Sequence, residues 1–167
     1  MKVHVRRATP GDAAELVSLA RAVGAEPEGW LITNGEWRSP SEERRYLRAV
    51  RRHTHAAVFV AETADGIVGR ISLARDAHPA SEHVADLGLM VAGTHRRQGI
   101  GRALMEAAEE WAREVGVRKL ELHVFPYNVA AIALYEGMGF EREGYRRDHY
   151  RRAEGFVDAI LMAKMIR

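Results

Sequence analysis

Three arginines and two glycines crowd into residues 96–102, RRQGIGR. The stretch lies where an apolar strand gives way to an amphipathic helix. Glycine inside a helix costs roughly 1 kcal/mol relative to alanine, so Gly99 and Gly101 at a helix start need a reason. The first helical turn leaves its N–H groups free and carries the positive end of the macrodipole. Glycine lets a ligand come close to that backbone. With Arg96, Arg97 and Arg102 alongside, the stretch can cradle a phosphate. Two familiar phosphate sites do not fit. A P-loop needs Lys-Ser/Thr after its second glycine, and a dinucleotide fold needs a third glycine.

A second centre of chemistry is Asp86, in the strand of residues 83–92 (HVADLGLMVA). Period two puts Asp86, Gly88 and Met90 on one face. A carboxylate within an apolar strand is expensive unless partnered. Asp86 therefore reads as a general base or ammonium binder, or equally as the partner of one of the many arginines. His83, placed on the same side of the strand, is a second candidate base. Glu121 and His123 alternate with core Leu122 on a later strand and can reach the same place or face solvent. No histidine pair has a convincing metal spacing, so no metal is expected.

Composition narrows the classes. The chain has 167 residues, 47% hydrophobic and 29% charged, which fits one globular domain over residues 1–167. It has no cysteine. Disulfides and thiolate nucleophiles are excluded, and a reducing compartment fits. No apolar run approaches the roughly 18 residues of a membrane span. The N-terminus has no apolar signal region. A soluble, cytoplasmic protein without a membrane partner is expected. The sequence pI is about 9.1, yet the formal net charge is only +2. A nucleic-acid binder usually carries a larger imbalance, so none is expected as partner.

These residues need elements to hold them. Val3 and Val5 mark a short strand, and Thr9-Pro10-Gly11-Asp12 starts a helix that Gly24 ends. Residues 25–38 are irregular and hold Trp30 and Trp37, which either tuck over the core or wall a substrate pocket. Ser39-Pro40-Ser41-Glu42 opens a second helix, through about Arg52. Strands follow over Ala57–Thr63 and Ile67–Ala74, joined at Asp65-Gly66, and then over 83–92. The glycine stretch feeds a helix of about 18 residues, stopped by Gly116. Lys119–Phe125 is a strand, 128–138 a helix with Gly139 in a C-cap role. Phe140–Tyr150 and Phe156–Ile166 form a long hairpin. The order is β-α-α-β-β-β-α-β-α-β-β, a mixed α/β domain with a mainly antiparallel sheet flanked by helices.

Two segments carry a family resemblance. Arg96-x-x-Gly99-x-Gly101 follows the strand Leu87–Val91. Asn128-x-x-Ala131-x-x-Leu134-Tyr135-Glu136-x-x-Gly139-Phe140 lies at the expected distance beyond it. Together they resemble the acetyl-CoA signature and second segment of the Gcn5-related N-acetyltransferase (GNAT) family. The resemblance covers residues 57–166 well and the first 56 only in element order. It implies the GNAT fold, with the sheet open along one strand split. It implies coenzyme A pyrophosphate on Arg96, Arg97, Gln98, Gly99, Gly101 and Arg102. The pantetheine arm would pair near Met90 and Val91, with Asn128, Ala131 and Tyr135 beside it. Tyr135 would be the acid that protonates the leaving thiolate, and the Val91 N–H would polarise the thioester carbonyl. Many members carry Glu where Asp86 stands.

The resemblance is nearest to bacterial amino-acid N-acetyltransferases and ribosomal-protein alanine N-acetyltransferases. It implies acetyl transfer to a primary amine, foremost the α-amine of an amino acid or similar small molecule. Absence of cysteine argues for direct attack with no acyl-enzyme. A free amino acid needs a cation for its carboxylate, and Arg70 is a candidate. Trp30, His83 and Asp86 complete the expected acceptor site. Alternatives are a protein N-terminus, an antibiotic amine, a polyamine (for which Glu26, Glu28 and Glu36 would supply acid), and a non-catalytic acyl-CoA-binding module. A homodimer is common in the family.

Overall fold

Alternation builds the sheet, and the two sets of apolar residues it creates explain why helices cover both faces. The computed structural model describes residues 1–32 and 37–167. Its strands are β1 (His4–Arg7), β2 (Ala56–Thr63), β3 (Gly66–Arg75), β4 (Val84–Val91), β5 (Lys119–Val124), β6 (Glu141–Arg152) and β7 (Gly155–Met165). Its helices are α1 (Ala13–Gly24), α2 (Pro40–Val50), α3 (Ile100–Val115) and α4 (Val129–Gly137). One seven-stranded sheet runs in the order β1-β2-β3-β4-β5-β7-β6. Every pairing is antiparallel except β4 with β5.

Ile71, Leu73, Leu87, Leu120, Leu122 and Met162 pack with Leu104, Trp111 and other residues of α3 and α4 on one face. Val58, Val60 and Met90 pack with Leu16, Leu19 and Leu47 of α1 and α2 on the other. Alternation puts Arg70, Ser72, Asp86, Glu121 and His123 on this second face as well. Local signals fix the helix starts. Ser39 Oγ accepts from the Glu42 N–H at 3.2 Å to cap α2. Asn128 Oδ1 accepts from the Ala131 N–H at 3.3 Å to cap α4. Helix α2 stops at Val50, two residues short of the expected end, and α3 has 16 residues.

The decisive feature is the β4–β5 pair. It holds for three residue pairs only, Val84–Lys119, Ala85–Leu120 and Asp86–Glu121. Beyond Asp86 the strands part. The β3–β4 ladder settles which backbone groups face the gap. The Ala92 N–H donates to the Val68 carbonyl at 2.8 Å, and Arg70 lies opposite Met90. In an antiparallel ladder alternate residues turn both polar groups to the same neighbour. Even-numbered β4 residues therefore bond to β3, and Leu87, Leu89 and Val91 turn theirs toward the split.

Candidate active site

Two cavities meet at this split. The larger, about 480 Å³, runs from Leu89 and Val91 over the α3 start to Ala131 and Leu134 of α4. The smaller, about 210 Å³, lies on the α1/α2 face and includes Arg70, Asp86, His123 and Tyr150. Trp30, Leu31, Leu89, Met90, Asn128 and Tyr135 border both. A group passing between the cavities passes these six.

The glycine loop has the shape that an anion needs. Arg97 has φ 60° and Gly99 φ 81°, both left-handed. Such turns point successive N–H groups inward as an anion-binding nest. A Cβ on Gly99 would meet nothing within 4 Å, so this glycine answers to backbone conformation. Gly101 answers to something else. A Cβ there would lie 2.9 Å from Leu134 Cδ2, so Gly101 lets α4 approach α3. Gly101 thus serves the packing of the two helices and also borders the larger cavity.

Other expected cofactor residues sort themselves by place. Met90, Val91, Arg96, Arg97, Gly99, Gly101, Arg102, Asn128, Ala131 and Tyr135 all border the larger cavity. Gln98 does not border it and is exposed. Met90 commits its backbone to β3, leaving the Val91 N–H as the group that faces the split. Arg96 borders the cavity but its fork is engaged. Its Nε donates to the Val91 carbonyl at 3.1 Å, and its two Nη atoms donate to Glu26 at 2.6 Å each. Asn128 acts on the helix that it caps. The cradle left by Gly99, the free N–H groups of the α3 start, and Arg97 and Arg102 at its rim fit a pyrophosphate.

In the smaller cavity Asp86 is open to solvent on one side and walled by the sheet on the other. Lost hydration raises its pKa first, and the charges of Glu121 and Asp76 add to it; together they push it up to about 6. Glu121 is its register partner on β5 but does not border the cavity. His83, expected on the face of Asp86, does not lie there. It precedes β4, is exposed, differs in parity from Asp86 and borders neither cavity. His123 shares the cavity with Asp86 instead. Its Nδ1 lies 2.6 Å from the Tyr150 hydroxyl. Burial, then Arg146 and His149, hold His123 below the usual imidazole range. Burial also raises Tyr150, and the Asp86 charge adds to this. No local sequence pattern marks Tyr150, because only the register of a long hairpin brings it here.

Tyr135 sits in the shared wall, 6% exposed, its ring 5.9 Å from that of Phe140. Burial alone raises its phenol well above the ordinary value. It stays protonated at physiological pH, as a proton donor in the wall between the cavities must.

Arg70 lies across from Met90, 3% exposed. Its Nη2 is 3.5 Å from Glu43 Oε1, a long contact, and its guanidinium carbon lies 5.1 Å from the Trp37 ring centre. Glu43 is fully buried and also accepts from Arg38 Nε at 2.8 Å. One carboxylate thus faces two guanidinium groups. Among the described residues, Arg70 Nε and Trp37 Nε1 find no hydrogen-bond partner. Among the described residues, the loop acids expected for a polyamine do not line either cavity. Glu26 is engaged by Arg96, Glu28 is exposed and outside both cavities, and Glu36 lies outside the described residues.

Trp30, Trp37, Leu31 and Phe125 give the cavity its apolar walls. No group of acids and histidines suited to a metal occurs among the described residues.

A split sheet, a glycine nest on one side and a carboxylate of raised pKa on the other define an acyl-CoA transferase architecture. The profile of the acetyltransferase (GNAT) family matches residues 25–140, and the chain belongs to this family. It is similar to the [ribosomal protein bS18]-alanine N-acetyltransferase of Escherichia coli K12, 46% identical over 69 residues, 41% of this chain and 47% of that protein. It is 35% identical over 103 residues to the L-amino acid N-acetyltransferase AaaT of the same strain, 59% of this chain and 62% of that protein. The matches therefore span about half to three-fifths of these relatives. A GNAT-family acetyltransferase structure from Streptococcus pneumoniae has a TM-score of 0.91 at 30% identity, covering 99% of this chain and 100% of that one. Other structures of this fold contain acetyl-CoA, the co-substrate that the nest fits.

Proposed function

We propose that the protein transfers the acetyl group of acetyl-CoA to the α-amine of a free amino acid, by direct attack within a ternary complex. The observation that carries the acceptor class is the buried, incompletely matched Arg70 guanidinium, with the bare N–H groups of Arg70 and Trp37 in its cavity. Unpaired buried donors are costly, and a carboxylate satisfies them with its lone pairs. The relative AaaT is named for L-amino acids, which agrees.

The chain's residues then divide the work. Arg70 and Trp37 hold the carboxylate. Asp86, ionised above a pKa of about 6, takes the ammonium proton directly or through water. The amine nitrogen attacks the thioester carbonyl carbon, and the Val91 N–H stabilises the resulting oxyanion. The C–S bond then breaks, the thiolate takes the Tyr135 proton, and the second proton of the attacking nitrogen restores the Tyr135 phenol as the amide forms. No enzyme side chain is acylated.

Thiol release from acetyl-CoA tests this across free amino acids, their amides, N-terminal peptides, polyamines and aminoglycosides. Turnover on free amino acids and not on amides is expected. The 46% identity with a ribosomal-protein alanine acetyltransferase favours a second reading, a protein N-terminus. Turnover on peptides alone selects that reading and removes the carboxylate from the site.

A further inference from the structure

The pairing of Arg96 with Glu26 joins parts of the molecule that lie 70 residues apart in sequence. It is a two-pronged pair at 2.6 Å on each prong, with both side chains partly buried. Arg96 holds Glu26 below the usual carboxylate range. Gly93 makes room for the contact, since a Cβ there would come within 3.3 Å of Glu26 Oε1. Arg96 also holds the Val91 carbonyl, so this one guanidinium grips the end of β4 and the segment after α1 together.

From Glu26 the chain crosses the mouth of the strand split and is fastened again. The Gly29 carbonyl accepts from the Tyr127 hydroxyl at 2.5 Å and from Arg152 Nη2 at 3.1 Å. The Leu31 carbonyl accepts from Arg152 as well. Arg152 in turn sits over the Phe125 ring, 4.8 Å from its centre. Residues 26–31 therefore form a strap, tied at one end to the cofactor loop and at the other to the β5–α4 link and the β6–β7 hairpin. Its last residues, Trp30 and Leu31, border both cavities.

We infer that Glu26 is a positioning residue for the acceptor, acting through Arg96: it makes the wall of the acceptor cavity depend on the state of the cofactor loop. Glu26 itself borders neither cavity. Pyrophosphate settling on the loop beside Arg96 fixes one end of the strap, and so fixes Trp30 and Leu31 where the amine must enter. The inference rests on the acetyl-CoA reading above, though not on the identity of the amine.

Coenzyme A titration of the full chain tests it, followed by calorimetry and by tryptophan fluorescence, with Trp30→Phe defining the part of the signal that Trp30 supplies. In the wild type, coenzyme A changes that signal. In Glu26→Gln, coenzyme A affinity stays within about threefold, the Trp30 signal falls by at least about half, and acceptor KM rises about tenfold with kcat little changed. Arg96→Lys keeps the charge but loses the fork, and reproduces this pattern. The double variant is no worse than either single one, as expected when both act through one contact. An unchanged Trp30 signal and acceptor KM in both single variants overturns the inference. So does a tenfold change in coenzyme A affinity with acceptor KM intact, which would make the pair a part of the cofactor loop alone. Failure of the wild type to bind coenzyme A overturns the acetyltransferase reading itself, which separates the two failures.

Discussion

The two cavities share six wall residues but are built from different material. The cofactor side is made of backbone: a left-handed turn, a helix start and the outward polar groups of alternate β4 residues. The acceptor side is made of side chains gathered from distant places: Trp37, Arg70, Asp86, His123 and Tyr150. Backbone sites tolerate changes of side chain and take the same ligand. Side-chain sites change their ligand with one substitution. A fold with this division keeps its acetyl donor while its amine varies.

The largest expected effect breaks one side and leaves the other. Asp86→Asn removes the proposed proton acceptor and should lower turnover about 10²- to 10⁴-fold, with coenzyme A affinity, read by calorimetry, unchanged. A comparable loss of coenzyme A affinity would show that the cavities are not separable. Tyr135→Phe acts in the shared wall. Turnover should fall about 10- to 100-fold, and acetyl-CoA affinity much less. If steady-state kinetics give the reverse, Tyr135 binds rather than donates.

Arg70→Gln sharpens the contrast within the acceptor side. Losing a charged hydrogen-bond partner of roughly 1.5–3 kcal/mol should raise KM for a free amino acid about 10- to 100-fold. KM for the corresponding amide should not move, and equal effects on both would deny Arg70 its carboxylate. Gly99→Ala addresses the backbone side. The left-handed φ of 81° makes alanine cost roughly 1–2 kcal/mol, visible as a lower unfolding midpoint and weaker coenzyme A binding, with acceptor KM spared.

The smallest effect is electrostatic. In the proposed mechanism Asp86 works as the anion, so kcat/KM should rise with pH through about 6. Glu121 raises that value as a like charge, after desolvation. Glu121→Gln should therefore move the acid limb to lower pH by less than about one unit. A limb that stays put, or moves upward, assigns it to another group.

The same division decides what the sequence made legible. The glycine loop and the Asn128–Phe140 segment are contiguous, so spacing alone reveals them. Strand period likewise exposed β2 to β5 and the face of Asp86. The acceptor site depends on which strands become neighbours. The order β5-β7-β6 brings Tyr150 to His123, and no local pattern announces it. Arg96 reads as a phosphate ligand until Glu26 is placed beside it. Gly101 reads as ligand clearance until Leu134 is. His83 fails for a simpler reason: it stands three residues before Asp86, so strand alternation sets the two on opposite faces, and β4 begins only after His83.

The three-pair contact between β4 and β5 has one more consequence. Seven strands in a row look like a single hydrogen-bonded fabric, but here the fabric has a short seam. Four strands lie on one side of it and three on the other, with α3 stitched across. Amide protons of Leu89 and Val91 occupy the middle of the sheet, where exchange with solvent deuterium is ordinarily slowest. With no strand opposite them, they should exchange early, like those of an outer edge, until a ligand closes the seam.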